Sequence, residues 1–286
     1  MRAASKMVAA VSALLLLLAF GGLAAAYSNP VIVRNDNELY NAFINQGVDW
    51  IGLAYDGASL APYSANILKY TATSGPFPVQ RSLTIEGSSP TGSPQQRAFD
   101  FAYIGGVVAL ARGNTFTLRG LSLSRMQALR APVGLFSSSE GATVRVENCV
   151  NNQQVCWPHE AANVYFLQVF QRPDGQAQQA TICAPGTETS CSQYTFTNVG
   201  FRVNRSPEFN TGGYDMYYIN TVINCLSYAN PLPSCPTLLT DLSTNPYNCL
   251  ATVYDPANFA TICPTCTCIN GCRQSCNSQG RPQPSC

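Results

Sequence analysis

Five times, this chain runs a short alternating apolar segment into a Gly or Asn and then begins another. The segments are Ser82-Leu-Thr-Ile-Glu-Gly87, Thr115-Phe-Thr-Leu-Arg-Gly120, Ala142-Thr-Val-Arg-Val-Glu-Asn148, Gln193-Tyr-Thr-Phe-Thr-Asn198 and Met216-Tyr-Tyr-Ile-Asn220. Alternation at period two sends one row of side chains inward on each strand. Gly or Asn then ends the strand where a left-handed backbone costs least. Aligned on Ile85, Leu118, Val146, Phe196 and Ile219, the segments recur at intervals of 33, 28, 50 and 23 residues. Repeats of a few tens of residues mark a solenoid, and the longest interval has room for two coils. A second apolar pair after the punctuation, such as Leu121 and Leu123 or Val222 and Ile223, starts the next face.

Other brief apolar runs read as strands too: Trp50–Ala54, Phe99–Phe101, Val107–Leu110, Val133–Phe136 and Val164–Leu167. Each is too short for a stable helix and rich in β-branched or aromatic residues. One helix is expected before them. Asn35 can cap it, Glu38 sits where a capping-box acid would, and Leu39, Ala42 and Phe43 fall on one face.

The opening Asn37-Glu-Leu-Tyr-Asn-Ala-Phe43 helix, with rungs such as Leu118-Arg-Gly-Leu-Ser-Leu123 and Phe196-Thr-Asn-Val-Gly-Phe201, resembles the pectin-lyase-like superfamily. The resemblance runs from Val31 to Cys225. It implies an all-β fold, a right-handed parallel β-helix with a short N-terminal capping helix. A β-sandwich, which also has many short strands, is the competing architecture. The resemblance says little about activity, because one scaffold hosts unrelated functions. Hydrolases of this superfamily use closely set aspartates, a Gly-His-Gly segment and an Arg-x-Lys. Here there is no Asp-Asp pair, the sole histidine lies in Pro158-His-Glu160, and the only lysine past the leader is Lys69. Arg130-Ala-Pro132 echoes the Arg-x-Pro of the calcium-dependent lyases, but the basic residue that should follow is missing. Asp100, Glu147 and Asp215 can meet only through folding, since no local motif pairs them. A lone histidine without a patterned partner reads as structural. No catalytic residue and no cofactor is therefore expected.

Arg2 and Lys6 lead an apolar run from Val8 to Phe20, followed by Ala24-Ala-Ala26. That is the pattern of a signal peptide cut after Ala26, with an uncleaved anchor as the alternative. The expected organisation is residues 1–26 as leader, 27–228 as the parallel β-helix domain and 229–286 as a Pro- and Cys-rich tail. The product is expected to be secreted and extracellular, with no membrane span once the leader is gone. Past the leader, fourteen basic residues face fifteen acidic ones, which gives no reason to expect nucleic acid. Only 11% of the chain is charged, well below the roughly one quarter usual for soluble domains. Its polar surface must rest on hydroxyl and amide side chains, which suits contact with glycans.

All thirteen cysteines lie at or after Cys149. In an oxidising compartment they are disulfide candidates rather than zinc ligands: Cys149, Cys156, Cys183, Cys191, Cys225, Cys235, Cys249, Cys263, Cys266, Cys268, Cys272, Cys276 and Cys286. Cys149 with Cys156, and Cys183 with Cys191, are near enough in sequence to close small loops. The odd total leaves at least one thiol free or joined to another molecule. Arginines at 97, 112, 119, 125 and 130 face a single acid, Asp100, over that stretch. On stacked coils Arg119 and Arg125 can align with Arg145 into a basic stripe for an acidic polysaccharide, and Gly213-Tyr-Asp-Met-Tyr-Tyr218 can add exposed rings, Tyr214 among them. Alternation sends Tyr217 and Tyr218 to opposite faces. Asn204-Arg-Ser206 is a glycosylation sequon, weakened by Pro207. The functional expectation is a non-catalytic protein of the cell surface, wall or extracellular matrix. A divergent polysaccharide lyase or glycoside hydrolase, or an adhesion module, are the alternatives.

Overall fold

A computed structural model describes residues 27–226, apart from 64–65, 67–72, 89–94, 127–131, 154–155, 158, 185, 188–189 and 206–209. The expected leader, the expected tail, Arg130 and the cysteines from Cys235 onward lie outside the described residues.

Strands β1 (Pro30–Val33), β2 (Trp50–Leu53), β3 (Ala58–Ser59), β5 (Leu83–Gly87), β6 (Arg97–Asp100), β8 (Thr115–Arg119), β9 (Leu121–Ser124), β10 (Thr143–Glu147), β11 (Val150–Gln153) and β14 (Asp215–Cys225) follow one path, β1-β2-β5-β8-β10-β14-β11-β9-β6-β3. Every pairing on that path is parallel. β14 is long enough to serve both flanks: Asp215–Ile219 pairs with β10, and Val222–Cys225 pairs with β11. The sheet curls into a half-barrel, an arrangement compatible with a parallel β-solenoid. β4 (Phe77–Val79) and β7 (Val108–Leu110) form a separate parallel pair. β12 (Gln179–Ile182) and β13 (Gln193–Arg202) add antiparallel strands against β14.

The corners between flanks are made by the expected punctuation. Gly120 between β8 and β9 has φ 61°, Asn148 between β10 and β11 has φ 52°, and Asn220 inside β14 has φ 46°. Gly lacks the Cβ that penalises this region, and Asn tolerates it. The corners are also bonded to one another, Gly120 N–H donating to Glu147 O and Asn148 N–H to Ile219 O.

Register sorts the aligned apolar residues. Ile51, Ile85, Leu118 and Val146 are direct partners across β2, β5, β8 and β10, and all four are fully buried. A second inner row, Leu83, Phe116, Val144 and Met216, runs beside them. Two members of the sequence alignment do not belong to the ladder. In β14 the partner of Val146 is Tyr218, one residue before Ile219. Phe196 lies in β13, which is antiparallel. Alternation is the same for a parallel and an antiparallel strand, so it cannot tell the two apart.

Two further strand expectations need correcting. Val133–Phe136 contributes only an isolated bridge from Phe136 to Val108. Val164–Leu167 is helical, the end of α2 (His159–Val164) running into a π-helical turn, Tyr165–Val169. Helical winding lets Tyr165, Phe166 and Phe170 all gather around Trp157, with ring centroids 5.1, 5.2 and 5.9 Å from it. α1 (Asp36–Ile44) forms as expected: Asn35 Oδ1 accepts from Glu38 N at 2.9 Å, and Leu39, Ala42 and Phe43 are buried. Among the described residues, no helix is long and apolar enough to cross a membrane.

Cys183 and Cys191 are bonded, as their spacing suggested. Cys149 is not bonded to Cys156, which instead pairs with Cys225. Cys149 is a free thiol, buried just past the Asn148 corner, with its sulfur 3.4 Å from Leu121 N. Strand β11 carries the chain away from it, which is why proximity in sequence misleads. Burial pushes its thiol up to about 12, so it is inert in the folded protein. Cys149 and the two bridges account for five of the thirteen cysteines, and the other eight lie outside the described residues. Cys149 is expected to resist alkylation in the native protein and to be labelled after unfolding without reductant, as read by peptide mass spectrometry. Prompt labelling of Cys149 in the native protein would contradict its burial.

Candidate functional site

The inner ladder determines the outer face. On each strand the residues flanking the buried one point outward, giving Trp50 and Gly52, Thr84 and Glu86, Thr117 and Arg119, Arg145 and Glu147, Tyr217 and Ile219 in register. With parallel strands ~4.8 Å apart, these columns extend about 19 Å from β2 to β14.

A continuous set of contacts runs along them. The Trp50 indole N–H donates to Glu86 Oε2 at 3.0 Å. Arg119 lies between two carboxylates, 3.5 Å from Glu86 Oε2 and 2.9 Å from Glu147 Oε2. Arg145 Nε donates to the other oxygen of Glu147 at 2.6 Å. The guanidinium of Arg145 lies 5.8 Å from the centre of the Tyr217 ring, and that of Arg172 lies 5.6 Å from it. Arg172 in turn holds Asp174 with two hydrogen bonds, 2.9 and 2.6 Å. Both rings are seated on glycines. A Cβ on Gly52 would lie 2.3 Å from the Trp50 ring, and one on Gly200 would lie 2.7 Å from the Tyr217 ring. Any larger residue at either position would lift the ring off the sheet.

Electrostatics holds Glu147, Asp174 and Arg119 in their ionised forms. Burial works to raise the Glu147 carboxyl, but the hydrogen bonds from Arg145 and Arg119 outweigh it and hold the group below the usual carboxylate range. Hydrogen bonding from Arg172 holds Asp174 down to about 2. The Arg119 guanidinium is raised, its partners Glu147 and Tyr27 outweighing burial.

The arginines expected to form one stripe separate. Arg119 and Arg145 meet around Glu147. Arg125 lies at the end of β9 on the other flank, where it pairs with Asp100 and approaches the Tyr103 ring. Tyr214 is not an exposed ring. It is fully buried, donates to Val133 O at 3.2 Å and packs edge-on against Phe136. Met216 and Tyr218 point inward, and Tyr214 keeps their phase, so Tyr217 is the ring that faces out. Asn204 is exposed. His159 is buried against Tyr194, its Nδ1 3.1 Å from Ala184 O, a structural placement. Asp215 pairs with Arg202 at 2.8 Å rather than with Asp100 or Glu147.

Trp50, Glu86 and Tyr217 were within reach of sequence reasoning, since each lies one residue from an aligned or register-matched inner residue. Arg172 and Asp174 carried no such signal, because a loop brings them over Tyr217. Among the described residues, no group of three or more His, Cys, Asp or Glu side chains could hold a metal ion. The class defined by this geometry is a mostly parallel, curled β-sheet protein with an ion-paired aromatic belt on one outer flank. No family model, curated protein or solved structure matches the chain.

Proposed function

We propose that this is a secreted, non-catalytic parallel β-helix protein, with α1 as its N-terminal cap, that binds or builds a glycan-rich wall or matrix. The doubling-back strand order, the left-handed corners and the buried face of α1 support the β-helix. The leader pattern and the disulfides support export. The observation that carries the binding role is the belt itself, with Trp50 and Tyr217 laid over glycines and hydrogen-bonding groups between them. Aromatic rings with a few fixed polar groups are the usual means of holding a neutral or weakly charged ligand.

The same residues argue against a hydrolase. Glycoside cleavage needs one carboxyl able to donate a proton and another to act as base or nucleophile. Glu147 is held ionised by two arginines, and Glu86 is occupied by Trp50 and Arg119. Incubation with plant and microbial polysaccharides is expected to give retention of the protein without new reducing ends or unsaturated products. Cleavage that disappears in Glu147→Gln would replace this reading with the enzymatic one. Capture of a protein partner with no glycan affinity would replace it with an adhesion module.

A further inference from the structure

Resting on the glycan-binding reading, we infer that the belt takes an uncharged, hydroxyl-rich glycan chain and rejects polyanions. The arginines that would recruit an acidic polysaccharide are already committed. Arg119, Arg145 and Arg172 are paired with Glu86, Glu147 and Asp174. At the near end of the same face, Arg202 contacts both Asp215 and Glu140. That makes five carboxylates for four guanidiniums, so the flank presents no net positive field to a polyanion. A sulfate or uronate would have to compete for Arg119 with Glu147, whose side chain is 12% exposed and 2.9 Å away. The displaced carboxylate would then keep Arg145 alone and lie beside the incoming anion.

An uncharged hydroxyl needs no such exchange. It can donate to a carboxylate oxygen and accept from a guanidinium, and the belt alternates the two. The chain itself supplies a model for this. The phenol of Tyr27 lies 6.0 Å from the Trp50 ring, tilted by 37°. Its oxygen accepts from Arg119 Nη1 at 3.2 Å and lies 3.5 Å from Thr84 Oγ1. The place between Trp50 and Arg119 is thus filled by a six-membered ring with a neutral hydroxyl that disturbs neither ion pair, and a sugar ring would take that place by displacing Tyr27. The strap carrying Tyr27 is held at its base by Asp49, which accepts from Ser28 N at 2.6 Å, Ser28 Oγ at 2.7 Å and Asn29 N at 3.0 Å.

The test is calorimetry and affinity electrophoresis of the full-length protein with cellohexaose and laminarihexaose as neutral probes, and polygalacturonate and heparin as polyanions. At least one neutral probe is expected to bind, with affinity changing less than about twofold between about 50 and about 500 mM NaCl, because screening acts on charge pairs. Tyr217→Ala and Trp50→Ala are each expected to weaken it about tenfold, while Tyr217→Phe, which keeps the ring, stays within about twofold. Glu147→Gln removes the carboxylate that Arg119 and Arg145 share and is expected to gain retention on polygalacturonate at low salt. Wild-type binding to polyanions alone, lost at high salt, overturns the neutral-ligand inference and leaves the glycan reading standing. Failure to bind any glycan overturns the glycan reading itself. Neutral binding that survives both alanine substitutions overturns the placement on this belt.

Discussion

Replacing Cys156 and Cys225 together with serine is expected to cost about 4 kcal/mol of stability, more than any change on the surface of the sheet. The bridge spans a sequence separation of 69 residues, and the entropy that a cross-link removes from the unfolded chain grows with the logarithm of the loop it closes. Its position adds to the effect. Cys225 is the last residue of β14, the strand that serves both flanks, and Cys156 lies beside Trp157 at the entrance to α2. Without the bridge, the end of β14 and the aromatic cluster over it are joined by packing, by the parallel β11 and by the antiparallel β13. Cys183 and Cys191 are only eight residues apart, so removing that bridge should cost less, about 2.5 kcal/mol. Urea unfolding of the oxidised wild type and of each double-serine variant gives the comparison directly. A loss below about 1 kcal/mol for Cys156 and Cys225, or equal losses for the two bridges, would show that loop length is not what matters here.

The long bridge also shows where sequence reasoning stops. Spacing correctly joined Cys183 to Cys191, because a short loop leaves few alternatives. The same rule joined Cys149 to Cys156 and was wrong, since the corner at Asn148 turns Cys149 into the core while β11 carries the chain away. Local chemistry was legible wherever it acted locally. Gly120, Asn148 and Asn220 adopt left-handed backbone as their side chains allow, Asn35 caps α1, and Ile85, Leu118 and Val146 stack in the expected register. What depended on a distant partner was not legible. Gln193–Arg202 alternates like a parallel rung yet pairs antiparallel. The aromatic run after Val164 reads as a strand until Trp157 supplies a surface for a helical turn. Tyr214 looked like an exposed ring because its neighbours are polar and Gly213 precedes it. Only the inward phase of Met216 and Tyr218 shows that it must be buried. Arg119 was not matched to its acids because Glu86 and Glu147 lie on the neighbouring strands β5 and β10, whereas Arg145 and Glu147 share β10 two residues apart on one face. A stripe expected to be basic is therefore an alternation of charges.

Leu118→Ala is expected to be the most damaging single substitution along the inner ladder, costing about 3 kcal/mol. Leu118 is fully buried in β8, between Ile85 on β5 and Val146 on β10, with strands bonded on both sides. A sheet held by parallel ladders on both edges cannot slide one strand inward to fill the space, so the lost contacts and the cavity both count. Its outward neighbours should behave differently. Thr143→Ala, on the adjacent β10 and half-buried, removes a side chain from the outer face and should stay within about 0.5 kcal/mol. The contrast tests the direction of every side chain on this flank, because a register slip of one residue would exchange inner and outer rows. Chemical denaturation of the two variants gives the answer. If Thr143→Ala costs as much as Leu118→Ala, the belt assigned to the outer face is misplaced, and with it the surface on which Trp50, Arg119 and Tyr217 are proposed to meet a glycan.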